Sequence, residues 1–170
     1  MELDERVAEL ERRLAALEER GPAPAPATAA DGEDDFRALE DFKERLAALG
    51  AADGGVLFTG AVRLPTGERY EWQYGALTGA LLDGDWTETA DSFAALGNAV
   101  RLRLLREILG GRRTAAELAE LDGLGTTGQI YHHLRRLTAA GWLHASGGGR
   151  YEVPPVRVVP LLVALTAARP

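Results

Sequence analysis

The sequence predicts an α+β fold that is mainly α-helical with a small amount of β-structure. Apolar residues recur every three or four positions in three short segments between residues 92 and 140, which is the spacing of amphipathic helices. Paired short segments flank glycine-containing turns at residues 55–74 and 142–153, a pattern typical of β-hairpins. Three helices followed by a hairpin have the order of a winged helix-turn-helix domain.

The first two of these helices have clear ends in the sequence. Asn98 can cap the first, and Gly110 with Gly111 ends it. The second begins with TAAE, in which Thr114 and Glu117 can satisfy each other's backbone amides as a capping box. The predicted apolar faces comprise Leu96, Val100, Leu104, Leu105, Ile108 and Leu109 in the first helix, and Leu118 and Leu121 in the second.

The third helix has one apolar and one polar side. Thr126 and Gln129 repeat the capping box at its start. The inward side comprises Ile130, Leu134 and Leu137, with His133 at the margin. The outward side comprises Gly128, His132 and Arg135, flanked by Gln129, Tyr131 and Arg136. Such a small, polar and cationic surface suits a DNA major groove. On an isolated helix an ordinary solvated face is the better interpretation.

The segment after the third helix favours the DNA interpretation. WLHAS and RYEV can pair as strands around Gly147, Gly148 and Gly149, with Arg150 placed to reach a phosphate. A basic wing is the expected companion of a basic third helix. The residues predicted near bases are Thr127, Gly128, Gln129, Tyr131, His132 and Arg135, with Arg136 and Arg150 on phosphates.

Four stretches carry a family resemblance. LGNAVRLRLLREIL, TAAELAEL, GQIYHHLRRLTAAGWL and GRYEV resemble the ArsR family of bacterial winged-helix repressors, over about residues 88–168. The resemblance implies a homodimer whose third helix, here Thr127 to Arg136, enters the major groove. It also implies that the last helix packs across the two-fold axis.

One departure from that family concerns metals. Many ArsR relatives sense metals through cysteines, whereas this chain has none. Its histidines are His132, His133 and His144, and the first two are adjacent, so they point to different sides of a helix. No carboxylate and histidine cluster has convincing ligand spacing. We therefore expect no metal site and no cofactor.

Charge is divided unevenly along the 170 residues, whose net charge is −7. From Asp91 to the end, ten basic residues face six acidic ones, while the first 90 residues hold nine basic and twenty acidic ones. A basic half can bind phosphate while an acidic half limits indiscriminate binding. We expect modest nonspecific affinity for DNA with clear salt dependence.

The first 32 residues contain two further predicted segments. A heptad seam at residues 1–20 predicts a parallel coiled coil, and its a and d positions are Leu3, Val7, Leu10, Leu14 and Leu17. A single amphipathic helix on the protein's own core is the alternative. Residues 21–32 read as an extended proline and alanine linker.

Residues 33–84 are predicted to form an accessory domain with a helix ending at Leu49 and a β-hairpin. The loop Pro65 to Gly67 suits a type I turn with a bulge, which pairs Val62 with Tyr70. One face of the hairpin is then aromatic and apolar, with Phe58, Tyr70, Trp72 and Tyr74. Either the helix at 34–49 or a dimer mate covers this face, or it lines a small-molecule pocket.

A short helix is expected at Ala76–Leu82, just before the predicted DNA-binding domain of residues 85–170. That domain is expected to begin with a helix from Asp85 to Leu96, with Trp86, Phe93 and Leu96 inward. The segment Val156–Ala168 is apolar nearly all round, so it predicts a buried helix. We expect dimer contacts at Leu161, Leu162 and Leu165 first, with burial inside one chain as the second interpretation.

The predicted function is sequence-specific binding of double-stranded DNA by a cytoplasmic, homodimeric transcription regulator. Assembly into higher oligomers is left undecided, and so is the binding of a small-molecule effector at the hairpin. The alternative is a protein-interaction or assembly module that uses the winged helix and coiled coil without reading DNA. No nucleophile elbow or phosphate-binding glycine loop is present, so we expect no enzyme. The apolar run Val158–Leu165 is too short to span a membrane.

Overall fold

The computed structural model describes residues 36–169. Its helices are α1 (Arg37–Ala48), α2 (Thr78–Leu82), α3 (Thr87–Leu96), α4 (Ala99–Leu109), α5 (Ala115–Ala119), α6 (Thr127–Ala139) and α7 (Pro155–Ala167). Its strands are β1 (Gly55–Arg63), β2 (Arg69–Leu77), β3 (His144–Ser146) and β4 (Arg150–Glu152). The predicted α+β fold is thereby confirmed, and the order of its elements is consistent with a winged helix. Every element from β1 onward lies in one compact unit, residues 42–170.

The caps at the starts of the helices α4, α5 and α6 are those that the sequence predicts. The Asn98 side chain accepts a hydrogen bond from the Arg101 amide at 3.1 Å, which begins α4. Reciprocal capping boxes begin α5 at Thr114 and α6 at Thr126. Leu96 belongs to α3 and not to α4, because Asn98 interrupts the helix between them.

One hydrophobic core is shared by the five helices from α3 through α7 and by the wing. Its fully buried side chains include Leu104, Leu105, Ile108, Leu118, Leu124, Ile130, Leu134, Leu137, Leu143, Val158 and Leu161. The predicted inward residues of the third helix are therefore confirmed. The expectation that Leu121 lies on the second helix is wrong, because α5 ends at Ala119 and Leu121 is half-buried in the segment that follows.

The wing is an antiparallel hairpin with a third short edge. Ser146 pairs with Arg150 and His144 with Glu152, which confirms the predicted strands. The segment before α5 lies along β4, since the Tyr151 amide donates to the Arg113 carbonyl at 2.6 Å and Thr114 bridges Arg150. This edge fixes the base of the wing against the start of the helix-turn-helix.

The first hairpin has the predicted register. Val62 pairs with Tyr70, Gly60 with Trp72 and Phe58 with Tyr74. At the loop, the Gly67 amide donates to the Leu64 carbonyl at 2.9 Å. Gly67 has φ of +91°, the left-handed conformation that a type I turn followed by a bulge requires.

Helix α7 contacts both strands of this hairpin and covers part of its aromatic face, on which Tyr74 is 56% exposed. Val159 of α7 lies over Gly60, where a glycine leaves room for the valine side chain. The expectation that the helix at 34–49 covers this face is wrong, whereas cover by a dimer mate and a small-molecule pocket at this face stay predictions. The correction has a physical reason: α7 is apolar on more than one side and needs a second surface to bury.

Two further expectations are wrong. Trp86 and Phe93 do not point inward but are 61% and 60% exposed, because α3 packs through Ala95 and Leu96 instead. The short helix begins at Thr78 and not at Ala76, since Ala76 continues the pairing of β2 with β1.

Candidate nucleic-acid interface

Helix α6 is held by its apolar side, and this leaves the opposite side free. Ile130, Leu134 and Leu137 are buried at the core, where α6 packs against α4 and α5. The helix is 13 residues long and begins after the Thr126 cap. The position of α6 in the fold is that of a recognition helix.

The predicted outer face of α6 is accessible to a ligand along its length. Tyr131 is 46% exposed at the centre of this face. The other exposed members are Thr127, Gly128, Gln129, His132, Arg135 and Arg136. Arg150 of the wing is exposed as well. All eight residues proposed to contact DNA therefore lie at the surface, and their contact with DNA stays a prediction.

Gln129 also takes part in the cap at the start of α6. Its Oε1 accepts a hydrogen bond from the Thr126 amide at 2.8 Å, as the capping box requires. The two Nε2 hydrogens and one lone pair of Oε1 are left for a base edge. The cap therefore fixes the position of the Gln129 amide while leaving it able to donate and accept.

His133 lies on the margin between the core and the surface, as the sequence predicts. Its side chain is half-buried, and its Nδ1 has no hydrogen-bond partner. Burial lowers the pKa of His133, and the charge of nearby Arg101 lowers it further. His133 is therefore expected to be neutral at pH 7 and to add no positive charge to α6.

An ion-pair network joins the wing to the first hairpin. The Arg113 guanidinium contacts Glu68 Oε2 at 2.6 Å and Glu152 Oε1 at 3.4 Å. A hydrogen bond from Thr66 and the contacts with Arg113 lower the pKa of Glu68. His144 lies 3.6 Å from Glu152 on its other side. We call Glu68, Arg113, Glu152 and His144 the wing-base network.

Sequence reasoning did not find this network. Glu68 and Arg113 are 45 positions apart, and Arg113 and Glu152 are 39 apart. No local pattern relates residues so far apart in the sequence. They come together only in the folded chain. The only signal in the sequence is the position of Arg113 directly before a helix cap.

The predicted dimerisation residues fall into two groups. Leu161 is buried in the core of its own chain, whereas Leu162 is half-buried and Leu165 is 37% exposed. The other five, Leu3, Val7, Leu10, Leu14 and Leu17, lie outside the described residues, as do the coiled coil and the linker. Dimerisation through either group stays a prediction.

An apolar groove of about 470 Å³ runs between α4 and α7. We call it the leucine groove, and its lining includes Leu102, Leu105, Leu109, Leu161, Leu162 and Leu165. Arg103 and Arg106 stand at its rim. A surface of this kind is typical of a protein-protein contact.

Residues 36–169 contain neither a metal-binding cluster nor a membrane-spanning helix. No group of three or more His, Cys, Asp or Glu side chains in this range is arranged to hold a metal ion. No helix in the same range has the length and apolar character needed to cross a bilayer.

The chain is similar in sequence to a probable mercury resistance operon repressor of Streptomyces lividans. The two are 38% identical over 78 residues, which is 44% of this chain and 62% of the relative. The chain thus spans less than two thirds of the length of that relative. No protein-family model matches the chain. That relative is named as a repressor, and the fold of this chain is consistent with a winged helix.

Proposed function

We propose that this chain is a sequence-specific DNA-binding transcription regulator that acts as a homodimer. Helix α6 enters the major groove in this proposal, and the β3–β4 wing lies along the adjacent backbone. The observation that carries it is the continuous exposed face of α6, beside an exposed wing arginine, on a helix whose other side is buried.

The residues on that face divide by chemistry. Arg135 lies in the middle of α6, where a guanidinium can donate two hydrogen bonds to guanine O6 and N7. Arg136 is on the flank and Arg150 is on the wing, positions suited to phosphates. Gly128 has open space around it and is on the first turn, so the backbone can approach the DNA closely.

A second copy of the chain is the proposed occupant of the leucine groove. A two-fold dimer would place two α6 helices on one face of the DNA, as reading of an inverted repeat requires. The groove is rich in leucine, its rim carries Arg103 and Arg106, and Leu165 extends it along α7. The resemblance to the ArsR family supports this arrangement, because the last helix of that family packs across the dimer axis.

Membership of the ArsR family is part of the same proposal. The resemblance of residues 88–168 and the likeness to a probable mercury resistance operon repressor both support it. Mercury is not the effector we propose for this chain. Mercuric ion is a soft cation that prefers thiolate ligands, and these 170 residues include no cysteine.

Selection of bound fragments from random duplex DNA tests the function. The full-length protein would be used at about 50 mM and about 200 mM salt, where phosphate contacts differ strongly in strength. We expect enrichment of an inverted repeat at both salt concentrations. Sequencing would give the half-site and the spacing between half-sites.

The contrary result is equally informative. Binding without enrichment that disappears at the higher salt would mean that the chain contacts phosphates only. A protein-interaction or assembly role, in which the winged helix joins partner proteins, would then replace DNA reading.

A further inference from the structure

A second groove of about 670 Å³ lies on the other side of α7 from the leucine groove. Its walls come from α3, the end of α6, α7 and one residue of β1. We call it the aromatic groove, because its lining includes Phe58, Phe93 and Trp142. Its volume lies within the range of about 300–1,000 Å³ that is usual for small-molecule sites.

The aromatic groove presents ring surface that the folded chain leaves uncovered. Phe93 is 60% exposed although it is aromatic and lies on a helix. Pro160, Val163 and Ala164 form an apolar floor on α7. A flat apolar molecule would cover surface that water now contacts, and this is the main favourable contribution to binding by such a site.

The charges around the aromatic groove select the sign of a ligand. Glu88 and Asp91 are three positions apart on α3, so they are neighbours on one side of the groove. No hydrogen bond or ion pair joins either carboxylate to another side chain in residues 36–169. The groove therefore offers two carboxylates without an ion-pair partner in that range beside aromatic rings, an arrangement that attracts an organic cation.

Arg157 does not cancel this preference. Its guanidinium carbon lies 4.9 Å from the centre of the Trp142 ring, so its charge is directed at that ring. The contact shows that a delocalised cation fits against a ring of this groove. Among the residues that line the groove, the one guanidinium of Arg157 therefore stands against the two carboxylates of Glu88 and Asp91.

The aromatic groove also touches the proposed DNA-reading helix. Ala139 and Ala140 at the end of α6 line it, and the Trp142 indole donates a hydrogen bond to the Ser92 carbonyl of α3 at 3.1 Å. A molecule in the groove would contact α3 and the end of α6 together. A ligand that fits one arrangement of these helices better than another changes the affinity of α6 for DNA.

We propose that the aromatic groove is a binding site for a flat organic cation, which acts as the effector of this regulator. The effector role rests on the proposed function, whereas the binding site does not. Phe58 is the only residue of this groove that was predicted from the sequence as part of a ligand face.

Two xanthene dyes of opposite charge provide the test, because rhodamine 6G is a cation and fluorescein an anion on the same ring system. Fluorescence anisotropy with the full-length protein and no DNA would measure both affinities. We expect saturable binding of one rhodamine 6G per chain, at least about tenfold tighter than fluorescein.

Matched variants separate the groove from the general negative charge of the protein. Glu88→Gln with Asp91→Asn should weaken rhodamine 6G binding about tenfold, since both attractive charges are removed. Glu44→Gln with Asp53→Asn makes the same charge change at exposed positions outside the groove and should leave binding unchanged. Equal affinity for the two dyes, or equal loss in both double variants, would overturn the binding site.

A second measurement tests the effector role separately. Affinity for a DNA fragment selected as above would be measured with and without rhodamine 6G, and the Glu88→Gln, Asp91→Asn protein would report any effect of the dye on the DNA itself. We expect a change for the wild type and none for the Glu88→Gln, Asp91→Asn protein. Dye binding without any change in DNA affinity would support the site and overturn its effector role. Dye binding by a protein that enriches no DNA sequence would support the site and contradict the proposed function.

Discussion

Gly60 of the first hairpin lies directly against Val159 of α7. A Cβ atom at residue 60 would lie 2.6 Å from Val159 Cγ1, well inside van der Waals contact. The valine is buried and β-branched, so it has few other rotamers to adopt. Glycine has a hydrogen atom where alanine has a methyl group, and this allows the hairpin to pack on α7 at residue 60.

Gly60→Ala tests this contact. We expect the free energy of unfolding in urea to fall by about 1–3 kcal/mol, as in overpacked cores. Gly75→Ala in the same hairpin is the control, because the nearest atom to its added Cβ is 3.4 Å away. Val159→Ala should restore part of the stability in the Gly60→Ala protein. If Gly60→Ala and Gly75→Ala are equally stable, the close contact does not exist in solution.

Arg135 and Arg136 are adjacent on α6 and have different proposed roles. Arg135→Ala should cost about 1–3 kcal/mol on the selected sequence and little on a scrambled one, since a bidentate contact to guanine is lost. Arg136→Ala should weaken both sequences alike and reduce the salt dependence by about one counterion. Gel-shift titrations at several salt concentrations would measure both effects. The roles are reversed if Arg135→Ala weakens both sequences equally.

At the scale of elements, the start of α6 depends on one capping box. Thr126 Oγ1 accepts from the Gln129 amide at 3.4 Å, and Gln129 Oε1 accepts from the Thr126 amide at 2.8 Å. These bonds satisfy backbone groups that the first turn of a helix otherwise leaves to water. The same turn presents the first proposed DNA contacts.

Thr126→Ala should lower the free energy of unfolding by about 1 kcal/mol, the usual effect of losing an N-cap. Thr127→Ala, one position later and also exposed, should have a much smaller effect because its hydroxyl makes no cap. Thermal or urea unfolding of the two variants provides the comparison. A loss of equal size in both would show that threonine content, and not the cap, stabilises the turn.

The wing-base network links three elements of the fold, because Arg113 joins the loop of the first hairpin to β4. Glu68 has a folded-state pKa below its ordinary value of 4.5. A lowered folded-state pKa means that the stabilisation by this carboxylate is present above pH 4.5 and is lost as the pH falls through the folded-state pKa. The network should therefore be intact at neutral pH.

Glu68→Gln should cost about 0.2–1 kcal/mol of unfolding free energy at pH 7, a small value because Glu68 is partly exposed to solvent. The difference from the wild type should decrease as the pH is lowered below 4.5. Glu71→Gln, on the exposed side of β2, is the control and should have almost no effect. A Glu68→Gln deficit that persists unchanged in acid would contradict an ionic contribution.

At the scale of the whole molecule, the proposed dimer depends on the leucine groove. Leu165→Asp should shift the protein from dimer to monomer in sedimentation velocity, because it places a charge in an apolar contact. Val156→Asp makes a comparable change at a residue of the same helix that is 51% exposed and does not line the groove. That control should remain dimeric. If both variants stay dimeric, the two chains associate elsewhere.

The local elements of this protein are determined by its sequence alone. The caps at Asn98, Thr114 and Thr126 and the hairpin loop at Gly67 act over three or four residues, so the spacing of residue types was enough to predict them. The register of the first hairpin followed from the length of its loop. The exposed face of α6 followed from helical periodicity in the same way.

Contacts between distant segments were decided only by the tertiary structure. Apolarity showed that α7 and the aromatic hairpin face each needed cover, but it could not show that they cover each other. The outward position of Trp86 and Phe93 on α3 has the same origin, since burial depends on which surfaces of the protein pack against the helix. Hydrophobic burial is non-directional, so periodicity identifies the faces that must be buried and only packing selects their partners.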